Sequence, residues 1–109
     1  MQFMFRALAT LSIIFLIGCK DAPSVKPKNM HEEYPGNWVD NFNLPITKVL
    51  SKNSIRGCGE FYYRPYYRGS EEYLVACTRD GINWTNYVVW LATEKASRIS
   101  LDGTIEQPR

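Results

Sequence analysis

The stretch CGEFYYRPYYRGSEEYLVACTRDGINWTNYVVWL, residues 58–91, holds most of the apolar material that this chain can use for folding. Side chains alternate along it, so that Phe61 and Tyr63 would point to one side of a strand and Tyr62 to the other. Turn-forming residues interrupt it twice. The stretch therefore predicts three antiparallel strands, with a cysteine at each end of the first hairpin.

The second turn predicts the register of the second and third strands. Asp80-Gly81 is typical of a two-residue type I′ turn, because both central positions need a positive φ that glycine adopts freely and aspartate tolerates. A two-residue loop would place Cys77 opposite Trp84.

The first hairpin predicts a disulfide. If Arg64 faces Glu71 across the loop, Cys58 faces Cys77 in the same register. Directly opposed strand residues have Cβ atoms about 4.5–5.5 Å apart, and modest twisting closes this to the separation that a disulfide needs. The bond would close a loop of 20 residues, counting both cysteines, and stabilise the fold by roughly 3 kcal/mol.

The first twenty residues, MQFMFRALATLSIIFLIGCK, have the form of a secretory signal. Arg6 precedes a mostly apolar run over residues 7–18, which is too short for the helix of about 20 residues that spans a membrane. The run ends in Leu16-Ile17-Gly18-Cys19, which resembles the lipobox of bacterial lipoproteins. The alternative is an ordinary signal peptide or a signal-anchor helix with an incidental cysteine, and Pro23 would stop such a helix.

The lipobox resemblance implies that residues 1–18 are removed and that Cys19 becomes an acylated first residue, linked to diacylglycerol and to a fatty acid such as palmitate. Several chains make the anchoring lasting, because each buried methylene contributes about 0.8 kcal/mol. The implied location is the bacterial cell envelope, facing the periplasm, and we expect the outer membrane rather than the inner one. Of the three cysteines, one would then be lipidated and two bonded in an oxidising compartment.

Residues 19–37 are predicted to form a lipidated N-terminus and a flexible tether, because they contain several prolines, mixed charge and few aliphatic residues. The only histidine, His31, lies there. A zinc-binding helix would need a second histidine four residues away, and there is none. We therefore expect His31 to be solvated and not to bind a metal. Residues 38–109 would form one small domain.

The domain is predicted to be α+β. Residues 45–52 indicate a short helix, with a proline in its first turn and Ile46, Val49 and Leu50 on one face. A possible fourth strand covers residues 98–101, and the last residues would be frayed. The expected fold is a small antiparallel meander of three or four strands, with the helix packed on one face and one disulfide.

The two registers together predict which face the helix covers. The helix face would carry Phe61, Leu74, Ala76, Tyr87, Val89 and Leu91. The opposite face would carry the candidate interface, in which Tyr62 and Tyr73 pair across the first hairpin near Trp84 and Trp90. The alternative is that Trp84 packs on the disulfide while the segment around Trp38 covers the rest.

The charge pattern argues against nucleic acid as a partner. Removal of Arg6 lowers the thirteen basic residues to twelve against eleven acidic ones, a net charge of +1, and the basic residues are scattered. The lipobox resemblance instead implies contact with the membrane through the lipid anchor, and we expect an envelope protein as partner.

Nucleophilic triads and most metal sites use histidine, and the only histidine of this chain, His31, lies in the predicted tether. We therefore expect no catalytic residues and no cofactor. The predicted function is a binding module of the envelope. The alternatives are a hydrolase of envelope polymers and a structural scaffold or immunity-type inhibitor. A cleft with two carboxylates about 5–9.5 Å apart would favour the hydrolase, and a flat aromatic face would favour binding.

Overall fold

The computed structural model describes residues 26–109. The lipobox and Cys19 lie outside the described residues. Within residues 26–109, no helix has both the length and the apolar character needed to cross a bilayer.

A four-stranded antiparallel sheet forms the centre of the domain, with the strands in chain order. Its elements are α1 (Met30–Glu33), α2 (Leu44–Lys52), β1 (Glu60–Pro65), β2 (Glu72–Thr78), β3 (Trp84–Trp90) and β4 (Lys95–Ile99). The predicted α+β fold is confirmed. The fourth strand exists, and it begins three residues earlier than the sequence pattern indicated.

Helix α2 begins where local chemistry favours a helix start. The side chain of Asn43 accepts a hydrogen bond from the Ile46 N–H at 3.0 Å, which satisfies one of the free donors of the first turn. Pro45 lies in that turn, where no intrahelical donor is needed. The predicted apolar face of Ile46, Val49 and Leu50 is buried against the sheet.

The second hairpin differs from the prediction by one residue. Thr78 pairs with Trp84, so residues 79–83 form a five-residue loop instead of a two-residue turn. The carboxylate of Asp80 accepts hydrogen bonds from the N–H groups of Ile82 and Asn83, each at 2.8 Å. These hydrogen bonds from the Asp80 side chain stabilise the longer loop. A register shift of one residue between β2 and β3 reverses which side chains of the two strands share a face.

The first hairpin differs by three residues. Phe61 pairs with Cys77, and Arg64 pairs with Leu74. The predicted Arg64–Glu71 and Tyr62–Tyr73 pairs are therefore wrong. The Cys58–Cys77 disulfide is nevertheless present, because Cys58 lies before β1 and reaches Cys77 from outside the strand.

The two corrected registers turn β2 over relative to its neighbours. Val75 and Cys77 face α2, whereas Leu74 and Ala76 face the opposite side. We call the face covered by α2 the helix side. Its buried core consists of Ile46, Val49, Leu50, Val75, Cys77 and Val89.

The opposite face is covered by the chain segments before α2 and after β4, and we call it the terminal side. Its buried core consists of Met30, Tyr34, Leu74, Val88 and Ile105, with Trp38, Tyr66, Trp90, Ile99 and Leu101 packed around them. The folded domain therefore begins near residue 29, earlier than the predicted boundary at residue 38. The expected frayed end is also wrong, because Ile105 and Pro108 are buried.

Hydrogen bonds join the two terminal segments to each other. The carboxylate of Asp102 accepts a hydrogen bond from the Met30 N–H at 2.9 Å. The indole N–H of Trp38 donates to the Glu106 carbonyl at 2.7 Å. The layer that covers the terminal side is thus assembled from both ends of the domain.

Asp102 predicts a pH dependence for this layer. Hydrogen bonds from the Thr104 hydroxyl and from the N–H groups of Met30 and Thr104 lower the pKa of its carboxyl group. A carboxyl group whose pKa is lower in the folded state stabilises the fold above its unfolded pKa of about 4, and this contribution disappears as the pH falls through the folded pKa. Asp102→Ala should therefore lower the melting temperature at pH 7, with a gap to wild type that narrows toward pH 3.

The matched control for Asp102 is Asp40→Ala, which removes an exposed carboxylate elsewhere in the chain. Thermal unfolding followed by circular dichroism at both pH values measures the gap. An Asp102→Ala gap of the same size at pH 7 and pH 3 would contradict the assigned role of the carboxylate.

Candidate ligand-binding groove

The disulfide is formed by a bent segment that leads from α2 to β1. Gly57 has a φ of 88°, and Ser54 also lies in the left-handed region with a φ of 60°. These bends direct Cys58 over the end of β2, where its Cα lies 4.7 Å from that of Cys77. Glycine suits position 57 because residues with a side chain rarely adopt this backbone conformation.

A groove lies beside the disulfide. We define it as two adjoining cavities of about 580 and 440 Å³ that share Arg56, Gly57 and Arg79 in their walls. The walls of the larger cavity are completed by Thr47, Leu50, Ser51, Ser54, Ile55, Cys58, Gly59 and Phe61. The smaller cavity is completed by Cys77, Thr78, Asp80, Asn83 and Thr85.

Two arginines supply the positive charge of the groove. Arg56 and Arg79 are both exposed and line both cavities. Among residues 26–109, neither guanidinium forms an ion pair with a carboxylate. Both arginines are therefore exposed residues of the groove wall without an ion pair to a described carboxylate.

Asp80 is the one carboxylate among the described residues that line the groove. It accepts hydrogen bonds from residues of its own loop. Its oxygens accept hydrogen bonds from the N–H groups of Ile82 and Asn83, the Asn83 amide and the Thr78 hydroxyl. The bonds to Asn83 and Ile82 hold the pKa of this carboxyl group well below its usual range. Asp80 therefore remains charged and shapes the loop.

The predicted aromatic interface is divided between the two faces of the sheet. Tyr62 and Trp84 share the terminal side, with ring centroids 5.7 Å apart in an edge-to-face contact. Trp90 also lies on that side, packed against its core. Tyr73 lies on the helix side, edge-on to Tyr63 at 5.7 Å, so the predicted four-residue cluster does not form.

The alternative prediction for the aromatic face is partly confirmed. The segment around Trp38 does cover the terminal side. Trp84 pairs with Thr78, on the face opposite Cys77, and contacts Tyr62 instead of packing on the disulfide.

A buried arginine helps to hold that covering segment. Arg64 is 7 % exposed, and its guanidinium lies 4.8 Å from the centre of the Trp38 ring. It donates to the Tyr34 carbonyl at 3.2 Å, and burial lowers its pKa. Its Nε has no hydrogen-bond partner among the described residues. Because Arg64 is enclosed by the covering segment, it joins that segment to β1 and does not reach the groove.

Tyr34 makes a second link on the terminal side. Its hydroxyl donates to a carboxylate oxygen of Glu72 at 2.5 Å, and burial together with this bond raises the pKa of Tyr34. This hydrogen bond therefore joins the covering segment to β2.

Sequence reasoning did not identify Arg56 and Arg79 as a pair, because the basic residues are scattered along the chain. A signal was nevertheless present. Arg56 precedes Cys58 by two residues and Arg79 follows Cys77 by two, so a bond between the cysteines brings the flanking arginines to the same place.

Other side-chain groupings and comparisons with known proteins assign no further role. Within residues 26–109, no group of three or more histidine, cysteine, aspartate or glutamate side chains is placed to hold a metal ion. Comparison of the chain with protein-family models, curated proteins and solved structures found no match.

Proposed function

We propose that this chain is a bacterial lipoprotein, anchored in the envelope through Cys19, whose disulfide-bonded domain is a binding module. The observation that carries the proposal is the pairing of the cysteines. Cys58 and Cys77 are bonded, so the remaining cysteine of the three is the one at the end of the lipobox-like motif. A disulfide of this kind persists in oxidising compartments such as the bacterial envelope.

The start of the fold supports a position close to the membrane. The first helix is capped by Asn29, ten residues after Cys19. Ten residues span at most about 33–36 Å even when fully extended. A domain tethered through Cys19 would therefore remain near the lipid surface, facing the periplasm, where envelope proteins are its available partners.

The groove supports binding as the activity of the domain. Its walls present two guanidinium groups without a carboxylate partner among the described residues, together with apolar surface from Ile55 and Phe61. The single groove carboxylate, Asp80, is occupied by hydrogen bonds within its loop. These features suit recognition of an anionic group on a partner.

The lipid anchor predicts the outcome of one substitution. Cys19→Ala should abolish incorporation of labelled palmitate and leave the precursor uncleaved, because the thioether to diacylglycerol forms on this sulfur. Metabolic labelling in a bacterial host, followed by electrophoresis and membrane fractionation, measures both effects.

The matched control is Lys20→Ala, which leaves the four lipobox residues intact and should be labelled like wild type. Equal labelling of Cys19→Ala and wild type would remove the lipoprotein assignment and with it the proposed membrane location.

A further inference from the structure

We infer that the groove beside the disulfide binds a carboxylate-bearing ligand, with the carboxylate on Arg56 and Arg79 and an adjoining apolar group on the groove wall. The inference deepens the proposed binding function and rests on it for its biological role. The binding itself depends only on the groove.

The charges of the groove select the carboxylate. A guanidinium presents two parallel N–H donors that match the two oxygens of a carboxylate, and such charge-assisted pairs are stronger than neutral hydrogen bonds. Arg56 and Arg79 line the same two cavities, and for this reason we place the carboxylate between them. The carboxylate of Asp80 in the groove wall accepts hydrogen bonds from Ile82, Asn83 and Thr78 within its own loop.

The side chain of Arg79 lies against Gly57. A Cβ atom added at Gly57 would lie 3.0 Å from the Nε of Arg79, which shows that the arginine side chain runs closely over the backbone of this residue. A side chain at position 57 would displace it. The absence of a side chain at Gly57 therefore leaves room for Arg79 in the groove wall.

The end of α2 does not oppose a carboxylate in the groove. The last carbonyl groups of a helix carry partial negative charge when they are free. In this domain, the carbonyls of Val49, Leu50 and Ser51 accept hydrogen bonds from the N–H groups of residues 53–55, at 2.9–3.0 Å.

The rest of the wall indicates what accompanies the carboxylate. Ile55 and Phe61 are partly exposed and offer apolar contact beside the arginines. Thr47, Ser51 and Ser54 line the same cavity. This cavity has a volume of about 580 Å³ and is open to solvent. A carboxylate next to a branched aliphatic group fits this wall, and it has two sources, the C-terminus of a polypeptide and a free small organic acid.

Calorimetric titration of the full chain in nonionic detergent tests the inference. The probes are an acetylated tripeptide that ends in leucine with a free carboxylate, the same tripeptide as its C-terminal amide, and free 4-methylpentanoate. We expect the free-acid tripeptide to bind at least about tenfold more tightly than the amide, because hydrogen bonds to a charged group are lost. Arg79→Gln and Arg56→Gln should each weaken binding of the acid by a similar factor.

The matched control is Arg98→Gln, which removes an equal charge from an exposed position on β4, two strands away from β2. It should bind like wild type, and unchanged melting of all three variants excludes unfolding as the cause. Tight binding of the tripeptide alone assigns the site to chain termini, and equal binding of 4-methylpentanoate assigns it to small acids.

Equal affinity for acid and amide, or equal losses in Arg79→Gln and Arg98→Gln, would overturn the carboxylate assignment. The result is independent of palmitate labelling of Cys19. A lipoprotein without this binding, or this binding in a chain that is not lipidated, would therefore be recognised as separate failures.

Discussion

Replacement of Leu74 by alanine is expected to lower the free energy of unfolding by about 2–5 kcal/mol. Leu74 is fully buried on the terminal side, where Met30, Tyr34, Val88 and Ile105 surround it. The truncated side chain would leave a cavity between the sheet and the layer formed by the terminal segments. Urea unfolding followed by tryptophan fluorescence measures the loss.

The control for Leu74 is Ile82→Ala, which truncates an aliphatic side chain that is 78 % exposed in the loop between β2 and β3. Its effect should stay within about 0.5 kcal/mol. A Leu74→Ala variant as stable as Ile82→Ala would show that the terminal segments do not bury the sheet in solution.

Replacement of both Cys58 and Cys77 by serine is expected to destabilise the domain by roughly 3 kcal/mol. The disulfide closes a chain separation of 19 residues, and its loss returns that freedom to the unfolded chain. Small domains are stable by only about 5–15 kcal/mol, so this is a large share of the total. Urea unfolding of wild type, of reduced wild type and of the double variant measures it.

The reduced wild type serves as the matched control, because it lacks the bond but keeps both side chains. It should unfold near the urea midpoint of the double serine variant. A reduced protein that unfolds at the same midpoint as the oxidised one would contradict the stabilising role of the bond. Mass spectrometry of a non-reduced digest checks that the two cysteines are linked in the starting material.

The groove depends on this bond as well as on its arginines. Arg56 lies on the bent segment that Cys58 attaches to β2, and Arg79 lies directly after β2. Loss of the disulfide would free that segment, so we expect the double serine variant to bind the free-acid tripeptide less tightly than wild type even where it remains folded.

Local sequence was sufficient to predict helix α2, the strands and the disulfide, but not helix α1. Helix α2 follows from Pro45 and from the spacing of Ile46, Val49 and Leu50, and the strands follow from alternation and β-forming residues. Such features act between near neighbours in the chain, so they can be recognised without knowledge of the fold. The cysteine pair was also predictable, although the hairpin register used to predict it was shifted by three residues and Cys58 lies before β1.

The strand registers required the assembled domain. Leu74, Val75 and Ala76 are all fully buried, so β2 is apolar on both faces and its pattern does not distinguish one face from the other. The Asp80 carboxylate then stabilises a five-residue loop where the dipeptide alone indicated two residues. A shift of one residue was enough to exchange Leu74 and Val75 between the two sides.

Two further features also depend on the folded chain. They are the layer that covers the terminal side and the groove beside the disulfide. Met30 and Tyr34 are isolated apolar residues in a polar, proline-containing segment, and that composition indicates a tether. They are buried only because β2 presents Leu74 on a second apolar face. Arg56 and Arg79 are 23 positions apart in sequence. They line one groove because the disulfide joins the two chain segments that carry them.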